Sequence, residues 1–274
     1  MPRFDRMRVG RIIVAAGLVL ASTAGAARAG EDPRIAEEFL QALRDRGLFD
    51  LALDYIDQLR ADPAIPADLK AVLDFREGTT LIDEASKSSD LVRRRELLDQ
   101  ASARLEVFVK QHPDHPLSRD ALVEIARRIF ERGHLAMLVG EDATDPAQKE
   151  AKLQEARDSF KQAHDAFDKA AKQLEAEQLK YKGFLDRSDP RAALRDKIVP
   201  AMLDAMLKRG VSDYELAQTY PAGSKERVDT LNEALKQFEQ LYNDHRSQFA
   251  GLTARMWQAK CYEEQGKIGE AIGL

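Results

Sequence analysis

The chain has 274 residues, 44% of them hydrophobic and 32% charged, with a single cysteine and a formal net charge of −5. At about 150 residues per domain, that length fits one or two compact units or one elongated array. The composition excludes wholesale disorder and a disulfide scaffold, and 47 Asp and Glu against 42 Lys and Arg argue against nucleic acid as the main partner.

Residues 1–29 read as an export signal. Arg3, Arg6, Arg8 and Arg11 precede the apolar run from Ile12 to Ala21, and Ala27-Arg28-Ala29 supplies small residues at a cut expected after Ala29. The apolar run is too short to span a bilayer, which takes about 20 residues. Cleavage removes five basic residues and one acidic residue, leaving 37 against 46 and a net charge of −9. So acidic a chain is a poor match for anionic lipid or polyphosphate. The expected product is soluble and periplasmic or otherwise extracytoplasmic. It is not inserted in a membrane and is not a lipoprotein, since Cys261 lies far from the cut.

The rest predicts an all-α protein, because apolar residues recur at three and four rather than alternating. Ala36, Phe39, Leu40 and Leu43 share one helical face, Gly47 breaks the run, and Ala52, Tyr55, Ile56 and Leu59 resume it before Pro63. A second hairpin runs from about 69 to 86 and from 90 to 111, carrying Leu73, Gly78 and Leu81, then Leu98, Ala101, Leu105 and Phe108, with Asp90 as N-cap. A third begins with Leu122, Ile125, Ala126, Ile129 and Phe130, is ended by Gly133, and continues after 146 into a heptad-like stripe: Leu153, Ala156, Phe160, Ala163, Phe167, Ala170 and Leu174, with Tyr181 and Phe184 beyond. If unbroken from 146 to 185, that helix spans about 60 Å. Its return path, 191–220, holds Pro200 and Gly210, each able to kink or divide a helix. Leu216, Ala217 and Tyr220 close it. Leu231, Ala234, Phe238 and Leu241 form the next helix, and Trp257, Ala259 and Tyr262 open a last pair that breaks at Gly266 and resumes with Ile268, Ala271 and Ile272.

The recurring unit pairs a helix of apolar-x2-apolar-small-x2-apolar pattern with a helix of Ala-x3-large-x2-apolar pattern. Its packing positions are Ala52 with Ile56, Ala101 with Leu105, Ala156 with Phe160, Ala234 with Phe238 and Ala271 on second helices, and Ala126, Ala217 with Tyr220, and Ala259 with Tyr262 on first helices. This resembles the tetratricopeptide repeat of exported bacterial proteins, such as the repeat parts of outer-membrane assembly and Tol-Pal accessory proteins. The resemblance implies an irregular solenoid of helical hairpins with one long heptad-patterned helix. The alanines from Ala52 to Ala271 are spaced 49, 55, 78 and 37 residues apart, where a regular array gives about 34. The ends therefore match best. The expected organisation is 1–29 signal, 30–116 N-terminal hairpins, 117–220 long-helix region and 221–274 C-terminal repeats, the last expected to be truncated because only eight residues follow Gly266.

No catalytic motif stands out. His112-Pro113-Asp114-His115-Pro116 reads as a capped connection rather than a metal site, and His134, His164 and His245 are scattered. Arg93-Arg94-Arg95 lies among Asp90, Glu96 and Asp99 and reads as a solvated face. Cys261 reads as a small buried apolar residue. The expectation is a non-enzymatic scaffold without cofactor, metal or nucleic acid, which binds a peptide or helix of another envelope protein. Two alternatives stand beside it: a coiled-coil homo-oligomer built on the long stripe, and a repeat module of a longer enzyme or sensor.

Overall fold

The computed structural model describes residues 32–274 apart from 182, 184 and 187. The export signal, its cut after Ala29 and Phe184 therefore lie outside the described residues. Those residues fold as an all-α protein with no strand among them: α1 (Pro33–Asp45), α2 (Phe49–Ala61), α3 (Ala67–Lys87), α4 (Leu91–Gln111), α5 (Pro116–Asp142), α6 (Pro146–Gln178), α7 (Pro190–Gln218), α8 (Lys225–Asp244), α9 (Phe249–Glu264) and α10 (Ile268–Ile272). Each packs mainly on its neighbour in sequence, while α1 also reaches α3 and α7 also reaches α9. No helix among the described residues is long and apolar enough to cross a membrane.

The helix starts follow from local chemistry. Asp32, Asp90, Asp145, Asp189 and Ser224 each accept a hydrogen bond from a main-chain N–H of the first turn, and proline opens α1, α5, α6 and α7, where its missing N–H costs nothing. Gly47 and Gly266 take φ of 72° and 73° in the α1–α2 and α9–α10 turns, a left-handed conformation open to glycine without strain.

Several boundaries differ from the sequence expectation. Gly133 does not end a helix, and α5 runs through it to Asp142. The long helix stops at Gln178 after 33 residues and passes into a 3-10 turn, Leu179–Tyr181. The return path is one helix through both Pro200 and Gly210, since proline forfeits only the bond to the Asp196 carbonyl and neighbouring helices supply the rest of the stability. One core runs from Leu122 on α5 to Cys261 on α9, across residue 220, and a second joins α1–α4 to Ala121 and Ile125 on α5, across residue 116.

The hairpins close through a contact that repeats. A Cβ on Gly78 would lie 2.8 Å from Leu105, one on Gly133 2.8 Å from the Phe160 ring, and one on Gly210 2.7 Å from the Phe238 ring. Each glycine on a first helix is thus a socket for the large residue of the Ala-x3-large pattern on the second, 27, 27 and 28 residues later. Beside each socket a polar pair spans the same two helices: Glu77 accepts from Arg104 Nε at 2.8 Å, Arg132 Nε donates to Ser159 Oγ at 3.2 Å, and Arg209 Nε donates to Gln237 Oε1 at 2.8 Å. In each case the pair consists of the residue before the glycine and the residue before the large side chain. The socket brings the helix axes close, and the adjoining pair sets their register.

The packing positions read from the sequence divide in two. Ala52, Ile56, Ala101, Leu105, Ala126, Ala156, Phe160, Ala217, Ala234 and Phe238 are fully buried, whereas Tyr220, Ala259, Tyr262 and Ala271 are half-buried. On α9 the buried face is Gly251, Ala254, Gln258 and Cys261, one step away from the expected Ala259 and Tyr262. α9 packs chiefly on α8, with α10 and α7 as lesser neighbours, and burial follows the face turned toward the packed helices. Elsewhere, Leu97 rather than its neighbour Leu98 joins Leu105 as a fully buried leucine of α4, and Phe39 on α1 is 49% exposed, edge-on to Tyr55 of α2. The α6 stripe from Ala156 to Leu174 is fully buried within the chain, with Phe130 of α5 against both Phe160 and Phe167.

Candidate functional site

A broad, open cleft of about 1110 Å³ lies between α6 and α8, with α7 as its floor. From α6 come Lys161, His164 and Asp165, from α7 Asp213 and Leu216, and from α8 a wall that includes Asp229, Thr230, Glu233, Leu235, Lys236, Gln237 and Glu239. The fold produces this arrangement because Ala163 and Phe167 on α6 and Ala234 and Phe238 on α8 face inward. Helical spacing then turns their neighbours His164, Asp165, Glu233 and Gln237 toward the groove.

A chain of hydrogen bonds organises the floor. His164 Nδ1 lies 2.9 Å from Asp213 Oδ1, Gln237 Nε2 donates to Asp213 Oδ2, Arg209 Nε donates to Gln237 Oε1 at 2.8 Å, and Arg209 Nη1 pairs with Asp168 at 2.7 Å. Asp213 is 8% exposed, so its two oxygens face fixed donors with little water between. The hydrogen bond to Asp213 raises the His164 pKa above its ordinary value, against the opposing effect of burial. Burial lifts Asp168, but hydrogen bonds from Lys172 and Arg209 outweigh it and hold its carboxyl below the usual range. A carboxylate on Nδ1 assigns that nitrogen the proton, so Nε2 accepts in the neutral ring and donates in the protonated ring that the raised pKa favours.

This geometry orients an imidazole and concentrates charge, but it does not assemble a nucleophile. The cleft lining has no serine or cysteine, and its one hydroxyl, on Thr230, donates to the Glu226 carbonyl at 2.7 Å. The carboxylates are also spread out: no group of three or more His, Cys, Asp or Glu among the described residues is placed to share a metal ion.

A second titratable group lies where α5, α7 and α9 meet. Burial pushes Glu215 up to about 7 against the pull of Lys260 and Lys208, and burial together with Lys208 lowers His134, which stands 3.9 Å away. Both groups shift toward their neutral forms, as expected for side chains taken out of water without a close partner. Tyr214 packs edge-on to Trp257 at 5.0 Å beside them. Cys261 is buried, and desolvation pushes its thiol up to about 12, so it is not a thiolate near neutrality.

Of the motifs singled out in the sequence, His115 caps α5 by accepting from Leu117 N–H at 3.1 Å, and His112 and His115 pack on Phe108. Arg93 pairs with Glu84 and Arg95 with Glu155, both between helices. The His164–Asp213 pair had no sequence signal, because its members lie 49 residues apart on different helices. The chain matches no protein-family model, and a search of curated proteins finds no significant relative.

Proposed function

We propose that this chain is a non-enzymatic interaction scaffold of the bacterial cell envelope, built from tetratricopeptide-like hairpins, which holds a segment of another protein in the α6–α8 cleft. The observation that carries this reading is the cleft itself: three successive helices form a concave surface that is large and open on one side, with ordered polar groups on its floor and no assembled nucleophile. Such a surface suits an extended or helical segment better than an enclosed small molecule. The repeated glycine sockets also support it, because stacked hairpins of fixed register present a preorganised groove. The coiled-coil alternative draws no support from the α6 stripe, which α5 and α7 already cover.

The test is site-specific photo-crosslinking in cells that export the protein. A benzoylphenylalanine at Lys236, on the cleft wall, should give a discrete adduct with an envelope protein, and one at Arg94, on the exposed face of α4, should not. Equal labelling at both positions, or none at Lys236, would remove the cleft from consideration as the docking site.

A further inference from the structure

We propose that the chain associates with a second copy of itself head to tail, the outer face of the α1–α2 hairpin of one copy packing on the outer face of the α9–α10 hairpin of the next. Apolar side chains left in water are concentrated on these two hairpins. Sixteen large ones are exposed among the described residues, and ten of them lie within 33–61 and 249–274, about a quarter of those residues. The others are spread over α4, α5, α8 and the turn after α6, which is ordinary for a protein surface. On the two hairpins they are grouped. Ile35 and Phe39 lie one turn apart on α1, and the Phe39 ring meets Tyr55 of α2 at 4.9 Å, one turn beyond the exposed Leu51. On α9, Phe249, Leu252 and Met256 recur at three and four, and Ile268 and Ile272 lie one turn apart on α10, which packs on α9. Apolar side chains grouped on one face mark an interaction site.

What covers these faces follows from how the hairpins stack within the chain. First helices meet side by side: α1 lies on α3 and α7 on α9. Glu37 and Arg44 of α1 pair with Arg76 and Asp83 of α3, and Tyr214 of α7 packs on Trp257 of α9. By the 3.6-residue period, Glu37 and Arg44 stand on the side of α1 opposite Ile35 and Phe39. The exposed stripe of α9 likewise lies opposite Ala254 and Gln258 on its buried face. Each internal junction joins the downstream side of one hairpin to the upstream side of the next. The open face of α1–α2 is an upstream side and that of α9–α10 a downstream side, so the two are complementary halves of one kind of junction. Charge favours this pairing over head to head. Residues 33–61 carry six acidic against four basic side chains, so two such faces repel, whereas residues 245–274 carry three against four. A heterologous contact leaves one face free on each added copy and propagates into rings or filaments.

The inference is independent of the cleft and is tested on the full chain by its mass in solution. Mass from light scattering should rise with concentration, through the dimer to larger species. Ile35→Glu on α1 and Met256→Glu on α9, both at exposed positions, should each weaken association by about tenfold or more. An equimolar mixture of these two variants should recover association but stop at a dimer of one of each, because it holds only one intact pair of faces. Leu138→Glu, at an exposed position on α5, adds the same charge and should leave the wild-type masses unchanged. All three variants should keep the wild-type urea midpoint. Should an end variant unfold early, the exposed Leu51→Glu or Leu252→Glu replaces it on the same face. A mass that stays monomeric at every concentration overturns the inference, and so does a mixture that remains monomeric. Association that survives either end variant also overturns it, since one face would then pair with its own kind. Equal weakening by Leu138→Glu would mean unspecific attraction and sinks it as well.

Discussion

The long hairpins in the middle of the chain and the short ones at its ends bury their shared faces by different means. In α3–α4, α5–α6 and α7–α8 a glycine on the first helix lets Leu105, Phe160 or Phe238 approach its backbone. Neither α1 nor α10 offers such a glycine to its partner: α1 has none, and Gly269 of α10 has nothing within 4 Å of where a Cβ would be. The end hairpins instead rely on small residues along short helices and leave Phe39, Ile268 and Ile272 substantially exposed. Close approach over a long interface thus comes from the sockets, while the repeat-like spacing at the ends produces looser contact. The positions that look least regular in spacing, 55 and 78 residues apart, are the ones where the internal geometry repeats most faithfully.

Phe160→Ala tests this contrast most severely. It empties the Gly133 socket and should cost about 3–5 kcal/mol in urea unfolding, whereas Phe39→Ala at the N-terminal end, already half exposed, should cost about 1 kcal/mol. Equal losses would erase the distinction between middle and end. Gly251→Ala comes next. A Cβ there would sit 2.0 Å from the His245 carbonyl oxygen, and a backbone atom cannot swing aside as a side chain can. We expect about 3 kcal/mol, visible as a lowered urea midpoint.

Glu215 shows what tight closure of the middle does to a charge. Its folded pKa, about 7, exceeds its ordinary value of 4.5. The stability linked to its protonation is therefore fully present below about pH 4.5 and is lost as pH rises through 7. Glu215→Gln should leave stability at pH 5 almost unchanged and raise it at pH 8, by at most about 3 kcal/mol at 1.36 kcal/mol per pKa unit. A uniform gain or loss across that range would show that the carboxyl is not the titrating group.

The smallest and most diagnostic comparison sets Gly133→Ala against Gly269→Ala. Both sites are helical, so alanine should favour each by up to about 1 kcal/mol on propensity alone. At Gly133 the clash with Phe160 should reverse that into a loss of about 1–2 kcal/mol. At Gly269, in open space, the propensity gain should survive as a slight rise in melting temperature.

What the sequence determined by itself was the local part. The all-α class, the Asp90 cap and the inward faces of α2, α6 and α8 follow from a 3.6-residue period and from residues that satisfy orphan main-chain N–H groups, both readable within one helix. Tertiary structure alone decided the role of each interior glycine. Gly133 and Gly210 carry the same local signal as Gly47, yet they sit unbroken inside helices because Phe160 and Phe238, 27 and 28 residues away, need the space. It likewise decided which face of α9 is buried, since Ala259 and Cys261 are equally suited to burial and only the position of α8 selects Cys261. The cleft belongs to the same category. His164, Asp213 and Gln237 come from three helices, and no period or spacing along the chain encodes a hydrogen bond among residues brought together only when those helices pack.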